Sequence, residues 1–413
     1  MVSIRPIHRA IVPVDSAAAA RLSAPNYDEF QGDREIWDML QARPDNVLRI
    51  TMAHCDVTDF AEHGVEGSDE ALRRSAENMR SFVDSALTRI ADDVLFIYEV
   101  VSPRRPDVRQ IGLGGLGKTS EIRTDDNPSG TVIRNEGIMP EKAAGRAKLI
   151  TATSADFGTV NLAVRDDAGR LLEELERIAD SRGHDFEAVD EGDNRHRVWV
   201  ISDRFERDEL TARLGAEPAA YVADGNHRSA AAAQSGQAAF LTVFFPAGRL
   251  RLEPYNRLVK SVGVSREALL DKLHTAFAVE SLGACAPYRP AEIHDIGLYI
   301  GGEWFRLVPR AGTFDPANAA ESIDSDIIQR HIFRDILGLH DPQDKKINYV
   351  GGNKDAAWLQ RQVDAGDYQF ALSVAPVPME QFIAVCEQNR FMPPKSTWFD
   401  PKIRSGMVVS LVD

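Results

Sequence analysis

Asp224, Gly225, Asn226, His227 and Arg228 follow one another where a short apolar run, "YVA", gives way to an alanine-rich one. The apolar run predicts a strand, Gly225 permits a sharp turn, and the alanines predict a helix. Such a turn sets His227 and Arg228 beside the free amides of a helix N-terminus, which is a ready anion site. An arginine fork adds bidentate contacts to phosphate oxygens. Asp224 can hold a metal ion or accept a proton. The same residues also fit an N-capping acid or amide followed by a surface arginine.

A second group lies in "GTVIRNEGIMPEKAAGRAKLI". Glu136 falls in a loop containing Gly and Pro, and Lys142 and Arg146 follow at helical i, i+4 spacing. A lysine and an arginine on one helix face can pair with two oxygens of a polyphosphate. A loop glutamate beside them can act as general base toward a hydroxyl. A solvated helix face with an unrelated acid reads the same way.

A third stretch, "IGLGGLGKTS", places Gly112, Gly117, Lys118 and Thr119 at the spacing of a phosphate-cradling loop. Such a loop needs a helix directly after it. Here "SEIRTDDNPSGTVIRNEG" follows, and its Pro, Gly, Asp and Asn content makes a poor helix. The segment therefore predicts the second strand of a hairpin that begins with "VLFIYEVVS", with Lys118 as a strand-end charge. Further toward the C-terminus, "RFMPPKSTWFDPK" is fixed in an extended path by Pro393 and Pro394. It reads equally as a loop over a site or as a strap packing Trp398 and Phe399. Arg257 and Tyr27 are candidates to line a pocket or to serve structure. His54 beside Cys55 suggests a nucleophile and base, but adjacent strand residues point to opposite faces, so the pair is set aside. No H-E-x-x-H or G-x-S-x-G pattern occurs.

The elements that must position these residues alternate. An amphipathic helix starts after an N-cap at Ser68, with Leu72, Ala76, Met79, Val83, Leu87 and Ile90 on one face. The first 60 or so residues mix short strands and turns. Another helix carries Leu171, Leu172, Leu175 and Ile178; strands follow at "HRVWVISD" and "AAFLTVFF". Beyond Gly263 a helix is predicted over Ser265–Phe277, a strand near "IGLYIGGEWFRLV", a helix around Asp326–Leu337, a strand at "INYVGG" and a last helix near Met379–Cys386. The alternation predicts an α+β fold of mixed α/β layers. A core over residues 1–262 and a C-terminal region over 263–413 are expected, with no Pro/Ser linker between them.

The chain has 413 residues and a net charge of −15 at pH 7. A field of that sign repels phosphate backbones, so nucleic acid is an unfavourable partner and any anionic ligand needs a local basic pocket. Cys55, Cys285 and Cys386 are too few and too far apart for a disulfide framework or structural zinc. No run approaches the length of a membrane span, and the opening lacks a secretory pattern, so a cytoplasmic protein is expected.

Taken in order, "IRPIHRAIVP", "APNYDEF", "IRNEGIMPEKAAGR", "YVADGNHRSAAA", "EPYNRLVKSVG" and "MPPKSTWFDPK" resemble a bacterial and archaeal family known as a domain of unknown function, the one-thousand-and-fifteenth of that series. The family's usual ADGHHR turn carries Asn226 here, Asn135-Glu136-Gly137-Ile138 stand for its H-E-K-T, and Gly145 replaces an acid. The D-G-x-H-R turn is also similar to the ParB/sulfiredoxin-like superfamily. One branch of it phosphorylates free serine from ADP or ATP. The resemblance implies a ParB/sulfiredoxin-like core with added terminal elements, and a small-molecule kinase. Gly225, Asn226, His227 and Arg228 would bind the donor phosphates with Lys142 and Arg146. Asp224 would hold Mg²⁺ or orient the acceptor, and Glu136 would take the hydroxyl proton. A small hydroxylated metabolite is the expected partner, and a homodimer stays open. The rival reading is a nucleotide- or metabolite-binding regulator without turnover.

Overall fold

The computed structural model describes the chain except Gln31, Ile138, Met139, Gln343, Asn353 and Asp413, and the side chain of Asp28. Two compact units emerge. The first comprises Met1–Arg134, Ile138–Leu250 and Pro401–Asp413, and the second comprises Asn135–Gly137 and Arg251–Asp400. Both mix helix and strand, in agreement with the α+β expectation. The chain passes from the first unit to the second after Leu250, and its last residues return to the first unit.

The first unit is built on a twelve-stranded mixed sheet. Its centre is the predicted hairpin, Thr88–Ser102 against Arg105–Lys118, with Phe96 opposite Gly114 and Ile97 opposite Leu113. Beyond Arg105–Lys118 come Ala239–Pro246, Val160–Val164, Ala220–Asp224 and Val132–Ile133. On the other side lie Ile7–Pro13, Val409–Leu411 and Ala155–Asp156. Three residues separate Asp156 from Val160, yet their strands stand far apart in that order. The sheet must curl to join them. Leu241 N, on Ala239–Pro246, donates to Asp156 Oδ2 at 2.9 Å and ties the curl.

Leu95, Ile97, Leu113, Leu162 and Val222 bury one sheet face under the helices Arg170–Ser181 and Arg204–Leu214. Phe96, Tyr98, Val198, Val243 and Phe245 bury the other. A third apolar cluster packs Leu22, Ile36, Leu40, Leu48, Met79 and Phe82. The N-terminal region is thus more helical than expected, with helices at Ser16–Leu22, Asp33–Ala42 and Leu48–Thr51. Ser68 does cap Asp69–Val83, accepting from Ala71 N at 3.3 Å. The helix stops at Val83, however. Leu87 and Ile90 reach the same cluster from the turn and the next strand, so one apolar period ran across two elements.

The second unit holds a six-stranded antiparallel sheet in the order Phe277–Gly283, Glu303–Pro309, Ile296–Ile300, Phe370–Ser373, Asn256–Val259, Ile347–Val350. The run expected as one strand near "IGLYIGGEWFRLV" is a hairpin, turned by Gly301 and Gly302 at positive φ. The helix expected over Ser265–Phe277 covers Arg266–Leu273, and Phe277 opens a strand. Asp324–Ile327 leads into a π-helical Ile328–Ile336. Phe277, Leu298, Leu307, Ile332, Phe333 and Leu372 form the core.

Candidate functional site

The strand, turn and helix expected around residue 224 are present. Ala220–Asp224 is a strand, Gly225 sits at φ +101°, and Asn226–Gln234 is a helix. An alanine at 225 would be strained, and its Cβ would lie 3.0 Å from Arg228 Nε. The turn therefore lets the Arg228 side chain fold back beneath it. Arg228 is 8% exposed and does not extend into bulk water. Its guanidinium donates to Asp224 Oδ2, to the Thr159 carbonyl and, at 3.3 Å, to Asn26 Oδ1. Asn26 Oδ1 also accepts from Ser405 Oγ at 2.9 Å. Asp224 Oδ1 faces Lys402 Nζ at 3.6 Å, so both of its oxygens meet cations. Asn226 is buried and His227 is half-buried.

Arg228 lines a pocket in the first unit. The helix Pro140–Thr153 forms another wall and brings in Arg146. Arg146 donates to Glu66 Oε1 at 3.1 Å, and its guanidinium carbon lies 3.5 Å from the centroid of the Tyr27 ring. Lys142, one turn earlier on that helix, is exposed. Leu149, Ile150, Phe157 and Ala231 supply the apolar wall. The pocket thus joins two guanidinium groups, an aromatic ring and apolar surface, a set that suits a planar ligand carrying an anionic group.

Sequence reasoning missed Asp156 and Lys402. Asp156 lines the pocket while fully buried, and burial raises its pKa against the opposing pull of its bonds from Leu241 N and Gly158 N and of Arg228. The only hint was one acid in "TSADFGT", a run with no regular period. Lys402 closes "MPPKSTWFDPK" but gave no sign of meeting Asp224.

Glu136 belongs to the second unit, where it forms an isolated bridge to Met392. In the same unit Arg257 is 2% exposed, donates to the Tyr255 carbonyl and, at 3.3 Å, to the Lys395 carbonyl. Burial lowers its pKa. Lys395 Nζ reaches Tyr255 Oη at 3.3 Å, and Ser396 Oγ donates to the Pro393 carbonyl at 2.6 Å. Trp398 packs edge-on to Tyr255 and Phe399 to Phe382, which matches the strap reading of this segment. Tyr27, by contrast, does line a pocket.

The glycine-rich segment is sheet from Arg105 to Lys118, and Lys118 Nζ lies 3.7 Å from Glu121 Oε1. At Gly114 a Cβ would meet the Phe96 ring at 2.1 Å, so the glycine makes room for an aromatic side chain. His54 and Cys55 occupy a 3₁₀ turn, Ala53–Cys55, not a strand. The opposite-face argument therefore fails for them, because it requires an extended backbone.

Comparison with solved structures finds a free serine kinase in complex with AMP (TM-score 0.36, 10% identity, 67% of this chain and 89% of that chain). It also finds a conserved hypothetical protein from Pyrococcus furiosus (TM-score 0.37, 13% identity, 68% and 92%). A third is SbnI with C-terminal truncation from Staphylococcus aureus (TM-score 0.39, 10% identity, 71% and 87%). No curated protein matches the sequence. Among the described residues no helix is long and apolar enough to cross a membrane. Residues 4–330 match the profile of the family described as "Protein of unknown function (DUF1015)", and the chain belongs to that family.

Proposed function

We propose that the pocket of the first unit binds a nucleotide, ADP or ATP, and that the protein is a kinase transferring a phosphoryl group to a small hydroxylated metabolite such as free serine. One observation carries the reading: Arg146 and Arg228 line the same pocket, beside Tyr27 and an apolar wall. Phosphoryl transfer asks mostly for positioning and charge neutralisation, which one arginine at a helix-start turn and a second on the facing helix supply. The site residues proposed are Gly225, Asn226, His227 and Arg228 at the turn, with Lys142 and Arg146 on the facing helix. Asp224 is the proposed Mg²⁺ holder and Glu136 the proposed base.

The test pairs binding calorimetry with turnover. Arg228→Ala should weaken ADP and ATP binding by about tenfold or more, the cost of a charge-assisted contact. Glu136→Gln should keep nucleotide binding and lose product. Folded protein that yields no phosphorylated product from ADP or ATP with any of a panel of amino acids and polyols would overturn the kinase reading.

A regulator that binds nucleotide without turnover has its own support. Both oxygens of Asp224 already face cations, Arg228 and Lys402, so a magnesium ion would have to displace one of them. Tight nucleotide binding that is indifferent to Mg²⁺ and gives no product would favour this reading.

A further inference from the structure

Three side chains with lone pairs, Asp33, His54 and Cys55, meet where the helix Asp33–Ala42 begins, and a fourth, His63, approaches Asp33. His54 Nε2 lies 3.2 Å from Asp33 Oδ1, and His63 Nε2 lies 3.9 Å from Asp33 Oδ2. The ligand atoms of Asp33, His54 and Cys55 all fall within 4.8 Å of one another. Ligands about 2.0–2.3 Å from a tetrahedral ion stand roughly 3–4 Å apart, so small rotations bring these atoms onto one centre.

His63 is already held as a ligand would be. Its Nδ1 lies 2.8 Å from the Phe60 carbonyl oxygen, and its ring stacks on Phe60 with centroids 4.5 Å apart. A carbonyl offers no proton, so Nδ1 donates, and in the neutral ring Nε2 turns its lone pair toward Asp33. Metal-bound histidines use this same anchoring of the second nitrogen. Access is one-sided: His54 and Cys55 are buried, while the side chains of Asp33 and His63 are 42% and 36% exposed. Burial, and after it the nearby carboxylates of Asp33 and Glu66, pushes the Cys55 thiol up to about 12.

We propose that Asp33, His54, Cys55 and His63 form a binding site for a divalent transition-metal ion of the zinc type. A mixed oxygen, nitrogen and sulfur donor set selects such an ion over Mg²⁺ or Ca²⁺. On binding, the Cys55 S–H bond breaks, its proton goes to solvent and a sulfur–metal bond forms; no electrons are transferred. The ion would tie the first turn of Asp33–Ala42 to the turn Ala53–Cys55 and to His63. Three residues on, Glu66 holds Arg146, so the ion would brace the segment that steadies one pocket arginine.

The test uses the full chain stripped by chelator and then titrated with Zn²⁺ or Co²⁺ alone. One equivalent should bind, and Co²⁺ should give a thiolate-to-metal charge-transfer band with the intense visible bands of a four-coordinate ion. Cys55→Ser should remove the charge-transfer band. His54→Ala should weaken binding beyond the roughly 10–100-fold typical of losing an outer partner. Asp33→Asn, at a half-exposed position, repeats the affinity measurement without emptying the core. The proposal falls if the unmodified protein takes up no stoichiometric metal, if its Co²⁺ form lacks the thiolate band, or if the isotherms of Cys55→Ser and Asp33→Asn match the parent's.

Discussion

Arg228 shows how one side chain can tie structure together and still line a pocket. Its guanidinium ties Asp224 to the Thr159 carbonyl and to Asn26 while still lining the pocket. Asp324 is a different case. It is 3% exposed and accepts from His294 N at 2.8 Å, and burial pushes its carboxyl up from 3.8 to about 7, with Arg257 pulling the other way. The folded chain therefore holds this proton more tightly than the unfolded chain. That contribution to stability is fully present below the ordinary value and is lost as pH rises through about 7. Asn cannot ionise, so Asp324→Asn should gain stability relative to the parent between about pH 4 and pH 7, and no more above it. Denaturant midpoints across that range check this. A constant difference between the two proteins would refute it.

Among elements, the central hairpin decides what the glycine-rich segment is for. Gly114 faces Phe96 across the strand pair with no room for a methyl group. Gly114→Ala should cost about 1–3 kcal/mol in chemical denaturation, the usual penalty of overpacking. Lys118→Ala should leave nucleotide binding unchanged by calorimetry, because Lys118 ends a strand beside Glu121. Loss of binding in Lys118→Ala with retained binding in Arg228→Ala would instead restore the phosphate-loop reading. The strand–turn–helix at residue 224 was legible because each signal is local: an apolar run, a glycine, then alanines. The hairpin at Gly301-Gly302 was missed because apolar residues continue on both sides of the turn.

For the molecule as a whole, the last residues matter more than their position in the chain suggests. Ile403, Met407 and Val408 are buried in the first unit, and Val409–Leu411 pairs with both Ile7–Pro13 and Ala155–Asp156. Arg404 is 4% exposed and bonded to Ser23 and to Glu191. Removing residues 401–413 should lower the melting temperature by more than about 10 °C, since each large core side chain lost costs about 2–5 kcal/mol and each kcal/mol moves a unit of this size by about 2–4 °C. Calorimetric melting of the truncated chain measures this; an unchanged transition would show that the tail is dispensable.

The sequence by itself determined the family, the α+β class, the hairpin and the turn that carries Arg228, because these rest on local propensity and on short motifs. Its local patterns gave Arg146 and Arg228 as two motifs, joined in one site only by the family resemblance. Only the tertiary structure put them in one pocket with Tyr27 and Asp156, by curling the sheet and laying Pro140–Thr153 along Asn226–Gln234. It also decided that Asp224 faces Lys402, and that His54 and Cys55 share a turn with Asp33 close by. Those partners lie 178, 1 and more than 20 residues apart, and a period of two or 3.6 residues carries no information about which distant side chains a folded core brings together.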